Sequence, residues 1–305
     1  MFALDELERI GVQGRAGLWG PLARAVTQVE NSQPWEVSLP RATNPCHIIG
    51  VTGPPGAGKS TLTGRLIESY ADAGQRVAVI AIDPSSPLTG GAVLGDRLRM
   101  ETHLNGRPEV FVRSLASRGS HGAVAGATRN VARLLELSGL FDVVIIETVG
   151  AGQTEVAIVE VADTVLLVTV PGLGDAVQAI KAGLMEVADA FVVNMADRPG
   201  AQETVRHLRL AAGRSGDVFQ TMALDGTGVA ELREGLHKRW VGLQERDELD
   251  SMRQSKWGSD AGLIAQAWVA ACFDSDALDP HGTVLSAVSQ ILKEATTRWE
   301  HQWSK

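Results

Sequence analysis

Cysteine is scarce in this sequence: Cys46 and Cys272 are the only two. Both sit in or beside apolar runs, so they read as buried thiols of a reducing compartment and not as a disulfide framework. No Cys-x-x-Cys spacing exists, and the seven histidines at 47, 103, 121, 207, 237, 281 and 301 never pair at metal-ligand spacing. The common zinc signatures are therefore missing, and each histidine is left to structural or surface duty. Basic clusters are lacking as well. With 28 Lys and Arg against 36 Asp and Glu the net charge is −8, which argues against nucleic acid and against anionic membrane surfaces as partners. No run reaches the roughly 18 apolar residues of a membrane span. Met1 to Ile10 carries acids and no long apolar stretch, unlike a signal peptide. The expectation is a cytoplasmic protein. Internal repeats and low-complexity tracts are absent too.

What remains is ordinary globular composition, 44% hydrophobic over 305 residues. That is enough for one large domain, or one plus an appendage. One stretch organises the rest: Gly53-Pro54-Pro55-Gly56-Ala57-Gly58-Lys59-Ser60-Thr61 fits the phosphate-binding pattern G-x-x-x-x-G-K-[ST]. Before it, His47 to Thr52 is short, apolar and β-branched, a buried strand. After it, Leu62, Leu66 and Ile67 fall at helical spacing. Glycines at 53, 56 and 58 let backbone amides approach an anion. Those amides and the helix N-terminus suit α- and β-phosphates, Lys59 suits the β- and γ-phosphates, and the Ser60 hydroxyl suits Mg²⁺. An ordinary glycine-rich turn would not need the Lys-Ser-Thr ending or the strand–helix flanks.

Residues 1–42 read as a helical arm. Leu22, Ala25, Val26 and Val29 mark its second helix, ended by Asn31 and Pro34. From 43 to 227 strands and helices alternate. Strands are expected at 47–52, 77–82, 109–113, 142–147, 164–170, 190–194 and 217–221, with helices such as 122–139, 174–188 and 201–213 between them. Several strands are unbroken apolar runs, as in a parallel sheet covered on both faces. The fold class is therefore α/β, a doubly wound, mostly parallel sheet whose ligands bind beyond the carboxyl ends of the strands. Residues 228–305 read as helices at 228–247, 260–273 and 281–300. Trp257 falls between the first two, and five of the seven tryptophans lie beyond residue 239. An internal core and a dimer contact explain that enrichment equally well.

Four stretches near the strand ends carry candidate chemistry. Asp83-Pro84-Ser85-Ser86 offers a carboxylate for Mg²⁺ or for a nucleophilic water; alternatively it is a turn closing a strand. Leu88 to Arg97 is glycine-rich and contains Asp96, on a loop able to order around a γ-phosphate, or else a plain helix start. Glu147-Thr148-Val149-Gly150 occupies the second-motif position of P-loop enzymes, with Glu147 supporting the Mg²⁺ shell and the Gly150 amide sensing the γ-phosphate. Gln153 either orients water or caps a surface helix. Asn194-Met195-Ala196-Asp197 matches Asn-Lys-x-Asp except at Met195. Its aspartate would accept from the ring N1–H and amine of guanine, which adenine cannot offer. Thr221-Met222-Ala223 could supply an amide to the guanine oxygen.

Together these residues resemble one family, the P-loop GTPases of the MeaB/MMAA/ArgK group. The resemblance rests on Gly53 to Thr61, Ile82 to Ser86, Thr89-Gly90-Gly91 through Leu94-Gly95-Asp96, Glu147 to Gln153, Gly174-Asp175 through Gln178-Ala179-Ile180-Lys181, and Asn194 to Asp197, and runs from about residue 15 to 235. It implies GTP/GDP and Mg²⁺ as ligands. Lys59, Ser60, Asp83 and Glu147 would form the phosphate and metal site, and Asp96 would lie on a switch loop. The segment 171–182, with Lys181, would be a further switch. The partner it implies is an adenosylcobalamin-dependent acyl-CoA mutase, chiefly methylmalonyl-CoA mutase, whose cofactor loading the GTPase gates and which it protects or reactivates. The C-terminal helices would make a homodimer. Two departures stand out: Met195 for the family's lysine, and Ala-Val-Gln-Ala at 176–179 for more polar residues. The rival readings are an ATPase or kinase associated with arginine/ornithine transport, a metal-delivery GTPase, and a nucleotide-binding scaffold without turnover. Cys or His metal ligands would mark the metal-delivery reading. Asp197 favours guanine over the ATP-based one.

Overall fold

Seven short segments of this chain, most of them apolar, pair side by side into one sheet. The computed structural model describes residues 19–33, 36–37, 39–84, 107–117, 121–148, 154–172, 184–212, 217–272 and 284–303. The strands are β1 (His47–Thr52), β2 (Val77–Pro84), β3 (Val110–Ser117), β4 (Val143–Thr148), β5 (Thr164–Thr169), β6 (Ala190–Asn194) and β7 (Asp217–Thr221). Their order is β3-β2-β4-β1-β5-β6-β7, and every pairing is parallel. The seven expected strands are all present, each with bounds within four residues of the expectation.

The described helices are α1 (Trp19–Asn31), α2 (Lys59–Asp72), α3 (His121–Leu137), α4 (Thr154–Val161), α5 (Leu184–Val187), α6 (Ala201–Ala212), α7 (Val229–Glu245), α8 (Glu248–Cys272) and α9 (Val284–Trp303). Successive strand residues point to opposite faces, and the core divides accordingly. Ile48, Ile80 and Val144 pack on one face with Leu22 and Val26 of α1, Leu134 of α3 and Ile158 of α4. Ile49, Val79 and Ile145 pack on the other with Leu62 and Leu66 of α2 and Leu232 and Leu236 of α7. Leu167, Phe191 and Val193 are covered by α6 through Val205 and Leu208. Leu22, Ala25, Val26 and Val29 are the buried face of α1, as their spacing requires. Gly50 of β1 lets α4 come close: a Cβ there would run into Ile158 Cγ2 and lie 2.9 Å from Ala162 Cβ.

The chain divides into two compact units, Met1–Gln254 and Ser255–Lys305. Near the end of the first unit, Arg253 enters a buried polar network at the amino ends of the strands. Its Nε and Nη2 donate to the Asp163 carboxylate at 2.8 and 2.7 Å, its Nη1 to Glu136 Oε1 at 2.8 Å, and its Nη2 also to Cys46 O at 3.1 Å. Asp163 accepts in addition from Ile48 N at 3.0 Å, and Glu136 from Cys46 N at 3.2 Å. Burial pushes the Cys46 thiol well above its ordinary pKa, so this cysteine is a packed, inert thiol. His47 is structural too. Its ring stacks on Trp240 at 4.9 Å, its Nε2 pairs with Thr164 Oγ1 at 2.8 Å, and burial pushes its pKa down to about 3. In the second unit, Trp268 Nε1 donates to Ala295 O at 3.2 Å, and the Trp268 and Trp299 rings meet edge to face at 5.5 Å.

One expectation is corrected. Residues 248–259 read as a connection, with Trp257 between helices, yet α8 is continuous from Glu248 to Cys272. The break falls earlier, at Asp247, whose φ of 56° ends α7. The stretch Glu248 to Lys256 is rich in strong helix formers but has no apolar period, so periodicity could not reveal it.

Candidate nucleotide site

The glycine-rich loop leaves β1 at its carboxyl end and delivers Lys59 as the first residue of α2. Two glycines are required by geometry. Gly53 has φ 142° and a Cβ there would run into Val168 O; Gly58 has φ 80° and a Cβ would stand 2.5 Å from Asn194 Nδ2. Gly58 is the N-cap of α2 and brings no side-chain cap. A helix start without a side-chain cap, following such a loop, is a place where an anion can be held. Lys59 is buried, and its ammonium donates to Gly53 O at 2.7 Å and Pro54 O at 3.2 Å. These are loop carbonyls, so the charge is stationed over the loop itself.

The carboxyl ends of the other strands bring in the remaining groups. Glu147, at the end of β4, is 3% exposed, and its Oε1 accepts from Ser60 Oγ at 2.6 Å. A hydroxyl and a carboxylate joined this way form a hard oxygen pair of the kind that holds Mg²⁺. Asn194, at the end of β6, is 2% exposed and works as a three-way latch. Its Nδ2 donates to Ala57 O of the loop at 3.0 Å, and its Oδ1 accepts from Thr221 Oγ1 at 3.2 Å and Ala223 N at 3.1 Å. Met195 takes the left-handed conformation, φ 54°, beside that latch and packs on the core below the loop. Asp197 is exposed. Ala196 N donates to Thr221 O at 3.1 Å, binding the 194–197 turn to the loop after β7. The Met222 amide is used internally, donating to Thr227 O at 2.9 Å.

The structure thus brings together Gly53, Pro54, Pro55, Gly56, Ala57, Gly58, Lys59, Ser60 and Thr61 with Glu147, Asn194, Thr221 and Ala223 at one end of the sheet. The backbone of Asp83 lies in β2, paired with Ala116, while its side chain lies outside those described. Asp96, Gly150, Gln153 and Lys181 lie outside the described residues. Sequence reasoning missed Arg65, which ties α2 to Ala223 and Leu224. No spacing rule flags a helix-surface arginine whose partners on that loop lie 158 and 159 residues away.

Known proteins share this arrangement. Residues 22–272 match the family described as methylmalonyl Co-A mutase-associated GTPase MeaB. A Pyrococcus horikoshii protein named as a GTPase is 44% identical over 285 residues, spanning 88% of each chain. GTPase ArgK of Escherichia coli is 42% identical over 192 residues, 60% of this chain and 57% of its own. The methylmalonic aciduria type A homologue of Caenorhabditis elegans is 34% identical over 224 residues, 68% of this chain and 56% of its own. Among solved structures, an LAO/AO transport system kinase superposes with a TM-score of 0.62 at 26% identity, covering 95% of this chain and 96% of that one. With the phosphate loop, the strand order and this family match in agreement, the chain belongs to the MeaB family and is a P-loop GTPase.

Proposed function

We propose that this protein couples Mg²⁺-dependent hydrolysis of the β–γ bond of GTP to the care of an adenosylcobalamin-dependent acyl-CoA mutase, gating cofactor loading and protecting or reactivating that enzyme. The observation that carries the partner is the family match across residues 22–272, whose description names association with methylmalonyl Co-A mutase. The oxygen set formed by Ser60 and Glu147 fits a hard divalent cation, and Asp83 is the further carboxylate of that site. Bound there, Mg²⁺ would neutralise charge on the β- and γ-phosphate oxygens. Lys59 would exchange its loop carbonyls for phosphate oxygens, and the uncapped amides of α2 would hold the rest of the chain of phosphates. Asp197 would accept from the N1–H and amine of guanine, with Asn194 fixing the turn that presents it. Asp96 and Gly150 would complete the γ-phosphate surroundings.

The same reading takes 1–42 as an arm, 43–227 as the GTPase domain and 228–305 as a homodimerisation segment of a cytoplasmic protein. Val288, Leu292 and Trp299 support the last point, being 45%, 52% and 43% exposed at helical spacing along α9. Among the described residues no helix is long and apolar enough to cross a membrane. The test is turnover of GTP with and without a cognate mutase. Slow hydrolysis that rises when the mutase is added supports the reading. A full rate alone, unchanged by the mutase, overturns the coupling, and equal competition by ATP and GTP would favour the transport-kinase alternative.

A further inference from the structure

Arg65 stands six residues beyond Lys59 on α2, about 9 Å further along the helix. Its guanidinium reaches off that helix. Nε donates to Ala223 O at 3.1 Å and Nη2 to Leu224 O at 2.6 Å, while Nη1 bonds Glu68 at 3.0 Å on α2 itself. Ala223 is therefore held from two sides. Its carbonyl accepts from Arg65, and its amide donates to Asn194, which in turn donates to Ala57 O in the phosphate loop. Ala223 is also packed in the core at 3% exposure, but Leu224 at the tip of the loop is 81% exposed, so there the bond from Arg65 Nη2 is a tie that packing does not supply. A planar guanidinium can serve two successive carbonyls at once; an ammonium on a flexible stem cannot reproduce that fork.

We infer that Arg65 is a specificity-positioning residue of the nucleotide site. It locks the loop Thr221 to Leu224 to the phosphate-binding helix, so that the base end and the phosphate end of GTP are presented at one fixed spacing. The inference rests on reading 194–197 and 221–223 as the guanine subsite. Met195 sharpens its importance. Where the family's lysine would lie along the base, this chain offers an uncharged side chain, so affinity leans on how well the surrounding loops are pre-organised.

The experiment compares wild type, Arg65→Ala and Arg65→Lys by calorimetric titration with GTP, ATP and inorganic tripolyphosphate, and by steady-state GTP turnover. The Arg65 side chain is 30% exposed, so the variants should fold, and thermal melting verifies it. Arg65→Ala should weaken GTP about tenfold, the size of one lost charge-assisted hydrogen bond. Tripolyphosphate, which touches only the phosphate end, should bind all three proteins alike. The variant's KM for GTP should rise while kcat at saturation holds, and Arg65→Lys should recover little of the loss. Unchanged GTP affinity in Arg65→Ala overturns the inference. So does an equal loss for GTP and tripolyphosphate, which would make Arg65 a brace for α2 alone. A wild type that binds tripolyphosphate but does not prefer GTP over ATP would instead overturn the guanine subsite on which the inference stands.

Discussion

Arg253→Met should be the most damaging single change on the side of the sheet away from the nucleotide site. Arg253 faces two carboxylates that have almost no water: the side chains of Asp163 and Glu136 are 1% and 6% exposed. Methionine fills much of the same space but leaves both charges without their cation. Breaking a buried pair in this way costs about 3–5 kcal/mol. At roughly 2 °C per kcal/mol for a domain of this size, Tm should fall by about 6–10 °C. The loss should depend on pH. Burial, the largest cause, already raises the Glu136 pKa above 4.5, and Arg253 is the main influence opposing it. Without Arg253 the folded-state pKa climbs further. An acid with a raised folded pKa takes up its proton more readily in the folded state, so its destabilising contribution grows as pH rises above about 4.5, the unfolded value. The deficit of the variant should therefore be greatest at pH 7–8 and shrink as pH falls toward about 4.5. Thermal circular dichroism of both proteins across that range reads it out. A Tm within about 2 °C of wild type at pH 8, or a deficit indifferent to pH, would refute the reasoning. Adding Glu136→Gln and Asp163→Asn to Arg253→Met should restore part of the loss, since neutral amides no longer need the guanidinium.

Asn194→Ala should strand the Ala57 carbonyl and the Ala223 amide, costing about 2–6 kcal/mol of stability at about 1–3 kcal/mol per buried unmet group; denaturant unfolding measures the stability, and GTP titration should show at least a tenfold affinity loss. Glu147→Gln keeps the shape beside Ser60 but weakens the hold on a cation, so the Mg²⁺ concentration for half-maximal GTP turnover should rise about tenfold or more. Gly50→Ala forces a methyl group against Ile158 and Ala162, and should cost about 1–3 kcal/mol through displacement of α4, visible as a lower Tm.

The sheet was legible in the sequence because its strands are nearly unbroken apolar runs, such as Ile48 to Val51 and Val143 to Ile146, set between turn residues. The parallel pairing followed from the helices between them. The phosphate loop was legible because Gly53 and Gly58 serve conformations that few other residues tolerate. Glu147 was placed by its position after an apolar strand, and the bond to Ser60 then joined residues 87 apart. What stayed hidden was tertiary. Asp163, Glu136 and Arg253 meet only after folding, and each alone looks like a surface charge. The polar opening of α8 hid for the opposite reason, having helix formers but no apolar stripe. Asn194 was read as part of a base-recognition motif, and its second duty, joining two loops, shows only in the hydrogen bonds.

The place of β1 between β4 and β5 has a consequence for biosynthesis. A nascent chain that has just released Thr52 owns a central strand with neither neighbour yet made. Both become available only after Thr169, 117 residues later (169 − 52). At about 5–20 residues per second the ribosome needs roughly 6–23 s to supply them. Until β4 is completed at Thr148 this central strand, and the phosphate loop attached to it, must wait unpaired, and its second edge stays open until Thr169.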